Sequence, residues 1–311
     1  MKKKILAIQG SNLKRINIKT DTSFFLGLEA QRRNYDIYYY EPKDLSFVDG
    51  NVIAQCSILK LQDNSKNPIK ILNKSVLNLV KAKVLLIRNE PPFNQQYINT
   101  TFILENIAKK LKIINNPKAL REVPEKLFSL RLVKFMPPTL ISEDLDEIKK
   151  FFNKNKKVVI KPIESYGGND VKLLNKFHKE KILKYIKKYS HLMFQKFIPQ
   201  ISKGDKRIFI INGKVKGSIS RVPKLGSILS NMSKGAKAKE IKITPHELKI
   251  SKFVASELKK SNIYFAGIDF INGKLIGDIN VTSPTGLKTY YDLTGINLAE
   301  YFFDNIWEDL I

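Results

Sequence analysis

Short apolar runs alternate with amphipathic segments along the first third of the chain. The run at 84–87 is continuous, as expected of a strand buried on both faces of a sheet. Strands that alternate with helices predict βαβ units and an open, mostly parallel sheet, in which ligands bind beyond the carboxyl ends of the strands. The predicted strands are 4–9, 35–40, 84–87 and 112–114, and the predicted helices are 22–33 and 97–111.

A similar alternation of strands and helices predicts a second α/β unit that begins near Glu122. A loop containing Gly167 and Gly168 separates two of its strands and therefore lies at the tip of a hairpin. The predicted strands are 139–141, 158–161, 171–174 and 192–197, and the predicted helices are 124–134, 145–153 and 179–189.

Two hairpins are predicted in the last third of the chain. Asn212-Gly213 and Asn272-Gly273 each separate two apolar strands, and Asn-Gly is a strong hairpin signal because both residues tolerate positive φ. Helices are predicted over 244–258 and 298–307. A chain of 311 residues has room for two domains or three small ones, and the element pattern predicts boundaries at 1–122, 123–199 and 200–311.

The chain is strongly basic, with 55 Lys and Arg against 29 Asp and Glu and a formal charge of +26. Its lysines are dispersed and form no basic arm, so a solvated surface is favoured and a nucleic-acid partner is not expected. Such a surface still attracts phosphate and carboxylate ligands. The single cysteine, Cys56, fits a reducing compartment, and no apolar run is long enough to span a membrane. We therefore expect a cytoplasmic protein without a membrane partner.

The second Asn-Gly hairpin brings acidic side chains together. A two-residue turn places Asp269 opposite Ile276, and alternation of side chains puts Asp269, Asp278 and Asn280 on one face. Asp269 and Asp278 are then diagonal neighbours, about 7–8 Å apart at Cα. Two carboxylates and an amide oxygen suit a hard cation. The alternative is a pair of exposed acids on the polar face of a strand.

Two further features fit an anionic ligand. The loop with Gly167 and Gly168 follows Lys161 closely, and glycines let backbone N–H groups approach phosphate oxygens. The alternative for the loop is an ordinary Gly-Gly turn. The alternative for Lys126 and Lys161 is that they are plain surface lysines. Arg207 shares a strand face with Asp205, where it either binds a phosphate or carboxylate or forms a local ion pair.

In this order, the motifs resemble those of the prokaryotic glutathione synthetases, which are ATP-grasp ligases. The resemblance covers nearly the whole chain, and its most specific segments are 204–207 and 278–285. The matching segments are 16–21, 28–33, 90–93, 116–121, 125–128, 161–162, 167–168, 204–207, 267–269 and 278–285. It implies an ATP-grasp fold, of mixed α/β and α+β class, preceded by a parallel-sheet α/β domain.

The resemblance also implies the chemistry. The family joins γ-glutamylcysteine to glycine with ATP and Mg²⁺, with Mn²⁺ as the alternative ion, through an acyl phosphate on the dipeptide. It implies that Lys126 and Lys161 hold the phosphates and that Gly167 and Gly168 lie in the loop over them. The remaining nucleotide contacts that it implies are Gln195, Lys196, Phe197 and Ile198 at the adenine, and Asp205 at the ribose or nucleotide.

The metal and substrate residues follow from the same resemblance. Asp269, Asp278 and Asn280 match the magnesium ligands, which agrees with the independent hairpin argument. Arg207 matches the catalytic arginine near the transferred phosphate and the dipeptide. The implied substrate-binding residues are Asn17, Lys19, Arg207, Ser283 and Thr285. The family further implies a homo-oligomer.

The chain departs from the family in the loop 224–236. Ser227 and Leu229 stand where the family has an acid and an arginine, and Ala236 replaces one closing glycine. Glu164-Ser165-Tyr166 replaces the usual residues before Gly167, and Asp278 replaces a glutamate. The altered loop favours an alternative, a RimK-like ATP-grasp ligase that acts on another acid or peptide. A third hypothesis is a basic binding module that keeps the fold without turnover, which the retained lysines and carboxylates argue against.

Overall fold

The computed structural model describes residues 3–64 and 66–306. The first of its three sheets lies within residues 4–114. Its strands are β1 (Lys4–Gln9), β2 (Tyr35–Tyr40), β3 (Leu45–Val48), β4 (Asn51–Leu61), β5 (Ile69–Asn78), β6 (Val84–Ile87) and β7 (Lys112–Ile114), and the accompanying helices are α1 (Thr22–Arg32), α2 (Gln95–Glu105) and α3 (Pro117–Glu122).

The strand order of this sheet is β3-β4-β2-β1-β6-β7, and β5 pairs with β4. The pairs β2–β1, β1–β6 and β6–β7 are parallel, so the predicted parallel core is confirmed. The antiparallel extension of β3, β4 and β5 was not predicted. Its first turn is Asp49-Gly50, where both residues have positive φ. Asp-Gly is a hairpin signal of the same kind as Asn-Gly, so the sequence contained the evidence.

The elements around the second sheet are β8 (Thr139–Ser142), α4 (Leu145–Asn155), β9 (Val158–Pro162), β10 (Lys172–Leu174), α5 (Lys179–Tyr189) and β11 (Leu192–Lys196). Its four strands are antiparallel and have the order β10-β9-β11-β8. The helix predicted over 124–134 is instead a run of tighter 3₁₀ turns over Phe128–Phe135. Its backbone closes three residues back, as in the bond from Leu130 N–H to the Leu127 carbonyl.

The elements around the third sheet are β12 (Asp205–Ile211), β13 (Lys214–Val222), β14 (Lys237–Glu240), α6 (Pro245–Lys260), β15 (Phe265–Ile271), β16 (Lys274–Asn280), α7 (Leu287–Thr294) and α8 (Leu298–Asp304). The strand order of this sheet is β14-β13-β12-β15-β16. Both Asn-Gly hairpins form, with positive φ at all four turn residues. Trp307, the predicted end of the last helix, lies outside the described residues.

The hydrophobic core is continuous between the first and third sheets but not with the second. One cluster contains both Leu85 and Ile268, and another contains both Leu26 and Phe302. The cluster under the second sheet, which includes Phe152, draws only on residues of that unit. The second sheet is therefore a body with its own core, set against the other two. Each sheet falls within one of the predicted ranges 1–122, 123–199 and 200–311, whose boundaries stay predictions.

No helix among residues 3–64 and 66–306 is long and apolar enough to cross a membrane.

Asn115, directly after β7, joins the first sheet to the third. Its amide donates to the carbonyls of Phe265 and Val281 at 2.7 and 2.6 Å. Its side-chain oxygen accepts the N–H groups of Tyr264 and Phe265 at 3.0 and 2.8 Å. Asn115 is buried, so all four bonds form away from water, where unpaired polar groups are costly.

We expect the substitution Asn115→Ala to lower the free energy of unfolding by about 3 kcal/mol, because it leaves several backbone groups buried without partners. Urea denaturation followed by circular dichroism measures this. The matched control is Asn73→Ala on the exposed face of β5, for which we expect a change within about 0.5 kcal/mol. Equal losses in the two variants would contradict the role given to Asn115.

Candidate active site

Two buried lysines meet one carboxylate between the second and third sheets. Lys161 on β9 donates to Asp278 Oδ2 at 3.1 Å and to the Ile276 carbonyl at 2.8 Å. The Nζ of Lys126 lies 4.0 Å from Asp278 Oδ1 and also donates to the Ser165 carbonyl. Burial lowers the pKa of Lys126, although Asp278 opposes that effect. The two predicted phosphate ligands thus face the same cavity.

The glycine loop and the loop 223–236 close over this cavity from opposite sides. Gly167 and Gly168 have φ of +62° and +75°. A Cβ at Gly168 would lie 2.5 Å from Asn231 Oδ1 and 3.3 Å from a methyl carbon of Leu229. Glycine at this position therefore permits both the backbone conformation and the close approach of the two loops.

The end of β11 provides the apolar side of the cavity. Gln195 is buried and donates to Thr139 Oγ1 at 3.0 Å, while Lys196 is exposed at the rim. Phe197 and Ile198 line the cavity together with other apolar side chains. These are Val159, Ile201, Ile228, Ile271 and Ile276. A flat, apolar aromatic group such as adenine fits a wall of this composition.

A chain of buried charges crosses the floor of the cavity on β13, β12 and β15. Arg207 donates to both oxygens of Asp269, at 2.8 and 2.7 Å, and the two residues are paired directly across the strands. Arg221 donates to both oxygens of Asp205 and also lies 2.9 Å from Asp269 Oδ2. Ser230 donates to Asp205 at 2.7 Å. All four charged residues are at most 5% exposed.

These arginines set the charge of Asp269. Burial alone would raise its pKa, but the guanidinium groups of Arg207 and Arg221 outweigh burial and lower the pKa to about 2. Asp269 is therefore ionised at neutral pH and keeps its oxygens as acceptors.

The predicted face of the second hairpin is correct, but the predicted register is not. Phe270 does lie opposite Leu275, whereas Ile268 pairs with Ile279, so the ladder shifts by two residues between them. Gly277 lies in this irregular segment with φ +79°. Because a shift of two keeps the side-chain alternation, the acidic residues still reach the cavity face. The predicted pairing of Asp269 with Ile276 is consequently absent from the ladder.

The three predicted metal ligands line the cavity, each with its own partners. The Asn280 amide donates to Asp269 Oδ2 at 3.3 Å and to the Asp278 carbonyl at 3.4 Å. Asp278 itself contacts the lysines. In the described part of the chain, no three Asp, Glu, His or Cys side chains form a group that could hold a metal.

A second cavity opens toward the first sheet and joins the first one. Arg207, Arg221 and Asn280 line both cavities, so they mark the junction. The predicted substrate residues Asn17, Ser283 and Thr285 line the second cavity as well. Of these, Thr285 accepts a bond from Arg207 at 3.4 Å and Ser283 donates to the Arg88 carbonyl at 3.1 Å.

Lys19 is the one predicted substrate residue that does not line this cavity. It is exposed, and its backbone N–H donates to Asn17 Oδ1 at 3.2 Å.

Arg221 and Glu125 are two of the site residues that were not predicted. Arg221 escaped prediction because a simple turn at Asn212-Gly213 would place Ser220 opposite Asp205, whereas a bulge in the hairpin brings Arg221 there. Glu125 lines both cavities and accepts three bonds from the backbone and side chain of the segment at Thr282. Its neighbour Lys126 was predicted, but no pattern separated Glu125 from an exposed acid.

Replacement of Arg221 tests the charge chain. Arg221→Met leaves Asp205 buried with Ser230 as its remaining bonded side chain, so we expect a loss of about 3–5 kcal/mol in the free energy of unfolding. Urea denaturation measures it, with the exposed Arg131→Met as control. The double variant Arg221→Met/Asp205→Asn should recover part of the loss, because no lone charge stays buried. Failure of the second change to compensate would count against the ion pair.

The comparisons with known proteins agree over nearly the whole chain. Residues 5–121 match the family model of the prokaryotic glutathione synthetase N-terminal domain. Residues 125–295 match the model of the prokaryotic glutathione synthetase ATP-grasp domain. A glutathione synthetase of Bradyrhizobium diazoefficiens is 38% identical over 313 residues, which cover 97% of each chain.

Solved structures share the fold at low sequence identity. The D-cycloserine synthetase DcsG superposes with a TM-score of 0.69 at 13% identity, over 99% of this chain and 100% of that one. The ATP-grasp ligase PsnB, solved with a minimal precursor, Mg and ADP, gives a TM-score of 0.62 at 13% identity, over 98% and 96% of the two chains. The predicted ATP-grasp fold with an added N-terminal α/β unit is thereby confirmed. The chain belongs to the prokaryotic glutathione synthetase family and is an ATP-dependent carboxylate–amine ligase.

Proposed function

We propose that the chain makes glutathione from γ-glutamylcysteine and glycine, with hydrolysis of ATP to ADP and phosphate. Relatives named glutathione synthetase align with 94–97% of the chain. The observation that carries the proposal is the junction of the two cavities at Arg207, where a nucleotide phosphate and a substrate carboxylate would meet.

The first cavity suits ATP. Lys126 and Lys161 supply two buried ammonium groups for the phosphates. Because these groups are largely shielded from water, their attraction to phosphate is stronger than it would be at the surface. The backbone of Gly167 and Gly168 covers the phosphates, and the wall at Gln195–Ile198 takes the adenine. Asp205 accepts hydrogen bonds from Arg221 and Ser230. We therefore propose that Asp205 positions Arg221, in addition to making the nucleotide contact predicted for it.

The oxygen donors beside the phosphates suit Mg²⁺. Asp269, Asp278 and Asn280 provide two carboxylates and an amide, and Mg²⁺ usually takes one or two carboxylates together with phosphate oxygens. A site of this kind does not require a cluster of three acids. Mn²⁺ accepts the same oxygen donors. When bound, the ion would neutralise charge on the transferred phosphate.

The chain then has to align two displacements. In the first, an oxygen of the cysteinyl carboxylate attacks the γ-phosphorus as the bond to the bridging oxygen of ADP breaks. In the second, the glycine amine attacks the acyl carbon, phosphate leaves, and the amine loses a proton. Arg207 lies at the junction of the cavities, where its guanidinium holds the oxygens of both reacting groups in line.

The acyl phosphate must be protected from water between the two steps. The loops at Gly168 and Asn231 meet over the cavity, and Lys234 in the second loop donates to Asn169 in the first at 2.8 Å. Closure of this kind excludes water from a reactive intermediate.

The alternative RimK-like activity is not favoured by the relatives. It rested on Ser227 and Leu229, and Leu229 serves here as an apolar contact near Gly168. The homo-oligomer and the cytoplasmic location stay predictions.

Release of phosphate tests the proposed function. We expect ADP and phosphate to appear only with γ-glutamylcysteine and glycine together, and mass spectrometry to show glutathione in equal amount. A panel of other acids and amines, including peptides, runs in parallel. Stimulation by another pair, and none by this one, would replace the proposal with the alternative.

Asp278 provides the metal test. We expect Asp278→Asn to lower kcat at least about 100-fold and to raise the Mg²⁺ concentration for half-maximal rate, because an amide is a weaker ligand than a carboxylate. A magnesium titration at saturating ATP measures both. Asp292→Asn, an exposed acid of α7, is the control. An unchanged magnesium requirement would refute the ligand assignment.

A further inference from the structure

The cations of the second cavity differ in how fully they are neutralised. Arg207, Arg221 and Lys234 are the three that line it among the described residues. Arg207 is bonded to Asp269, and Arg221 is bonded to Asp205 and Asp269. Both arginines therefore carry compensated charge before any substrate binds.

Lys234 is different. Its side chain donates to the neutral side-chain oxygen of Asn169 at 2.8 Å, and within the described ranges no carboxylate forms an ion pair with it. An ammonium group has three N–H donors, so two are left for a ligand or for water. Asn169 orients the ammonium at the cavity wall without neutralising it, and both residues line the cavity.

The cavity needs such a cation. Asp21, Glu90 and Glu125 also line it and would repel an anionic ligand. Lys126 and Lys161 line the first cavity and not the second, and Lys19 lines neither. Among the described lining residues, Lys234 is thus the cation whose charge is available to a substrate.

The substrate of the proposed function carries a matching charge. γ-Glutamylcysteine has two carboxylates, and only the cysteinyl one is phosphorylated. The carboxylate on the glutamyl α-carbon stays charged throughout, and a cationic side chain at the cavity wall would bind it by a charge-assisted hydrogen bond. We propose, on the basis of that function, that Lys234 binds this non-reacting carboxylate and so determines specificity for a dicarboxylic acid substrate.

With Lys234 in this role, the loop 223–236 contacts the substrate directly. Lys234 lies in the loop 223–236, so the ion pair forms only when that loop is over the cavity. Binding of the correct acid therefore favours the closed arrangement in which the acyl phosphate is protected.

A pair of substrates tests the assignment. The first is γ-glutamylcysteine, and the second is 4-aminobutanoyl-cysteine, which lacks only the glutamyl α-carboxylate. For Lys234→Met we expect the KM for γ-glutamylcysteine to rise about 10- to 100-fold, the range for loss of a charged hydrogen bond. The KM for 4-aminobutanoyl-cysteine and for ATP should change less than about twofold.

Two variants serve as controls. Lys234→Arg keeps the charge and should keep the KM for γ-glutamylcysteine within about threefold. Lys224→Met removes a charge from the same loop at a position that lines neither cavity, and should leave both KM values unchanged.

Two results would overturn the assignment. An equal rise in KM for both acids would mean that Lys234 only holds the loop through Asn169, and no rise for either would mean that it has no role. The wild-type enzyme reports separately on the proposed function. If it turns over a different dicarboxylic acid from the panel, the same comparison is made with that acid and its decarboxylated analogue.

Discussion

The alternation of charge from Asp205 through Arg221 and Asp269 to Arg207 is the constraint on which the site depends. Four ionised side chains lie almost completely out of water, so each must keep its partners or impose a large desolvation cost. The pairs are direct neighbours across β12, β13 and β15. The register of the third sheet therefore determines the geometry of the junction. A slip of one residue in that register would separate the charged pairs.

The arrangement of hydrophobic cores divides the molecule into two parts. The first and third sheets share two clusters and the four hydrogen bonds of Asn115, which join the wall of the second cavity to the charged floor. The second sheet keeps its own cluster. Its side of the cavity, with Lys161 and the glycine loop, therefore rests on packing that is separate from the core beneath the floor.

The sequence was most informative where a local rule decides the outcome. Asn272-Gly273 adopts the turn that its positive φ values allow, and the even spacing of Asp278 and Asn280 puts both on the cavity face. Register was beyond reach because it depends on bulges. Gly277, with φ +79°, lies at one such irregularity. A glycine inside a strand often marks a bulge, but Gly267 on β15 lies in a regularly paired segment, so glycine alone does not locate the bulge.

The sharing of Asp278 by Lys126 and Lys161 has a consequence for which nucleotide species enters. A polyphosphate that arrives alone must draw the lysines away and leave Asp278 as an unpaired anion beside its own negative charge. One that arrives already complexed to a divalent ion supplies a new partner for the abandoned carboxylate in the same event. If Lys126 and Lys161 hold the phosphates as proposed, this exchange favours the metal complex over a bare phosphate chain.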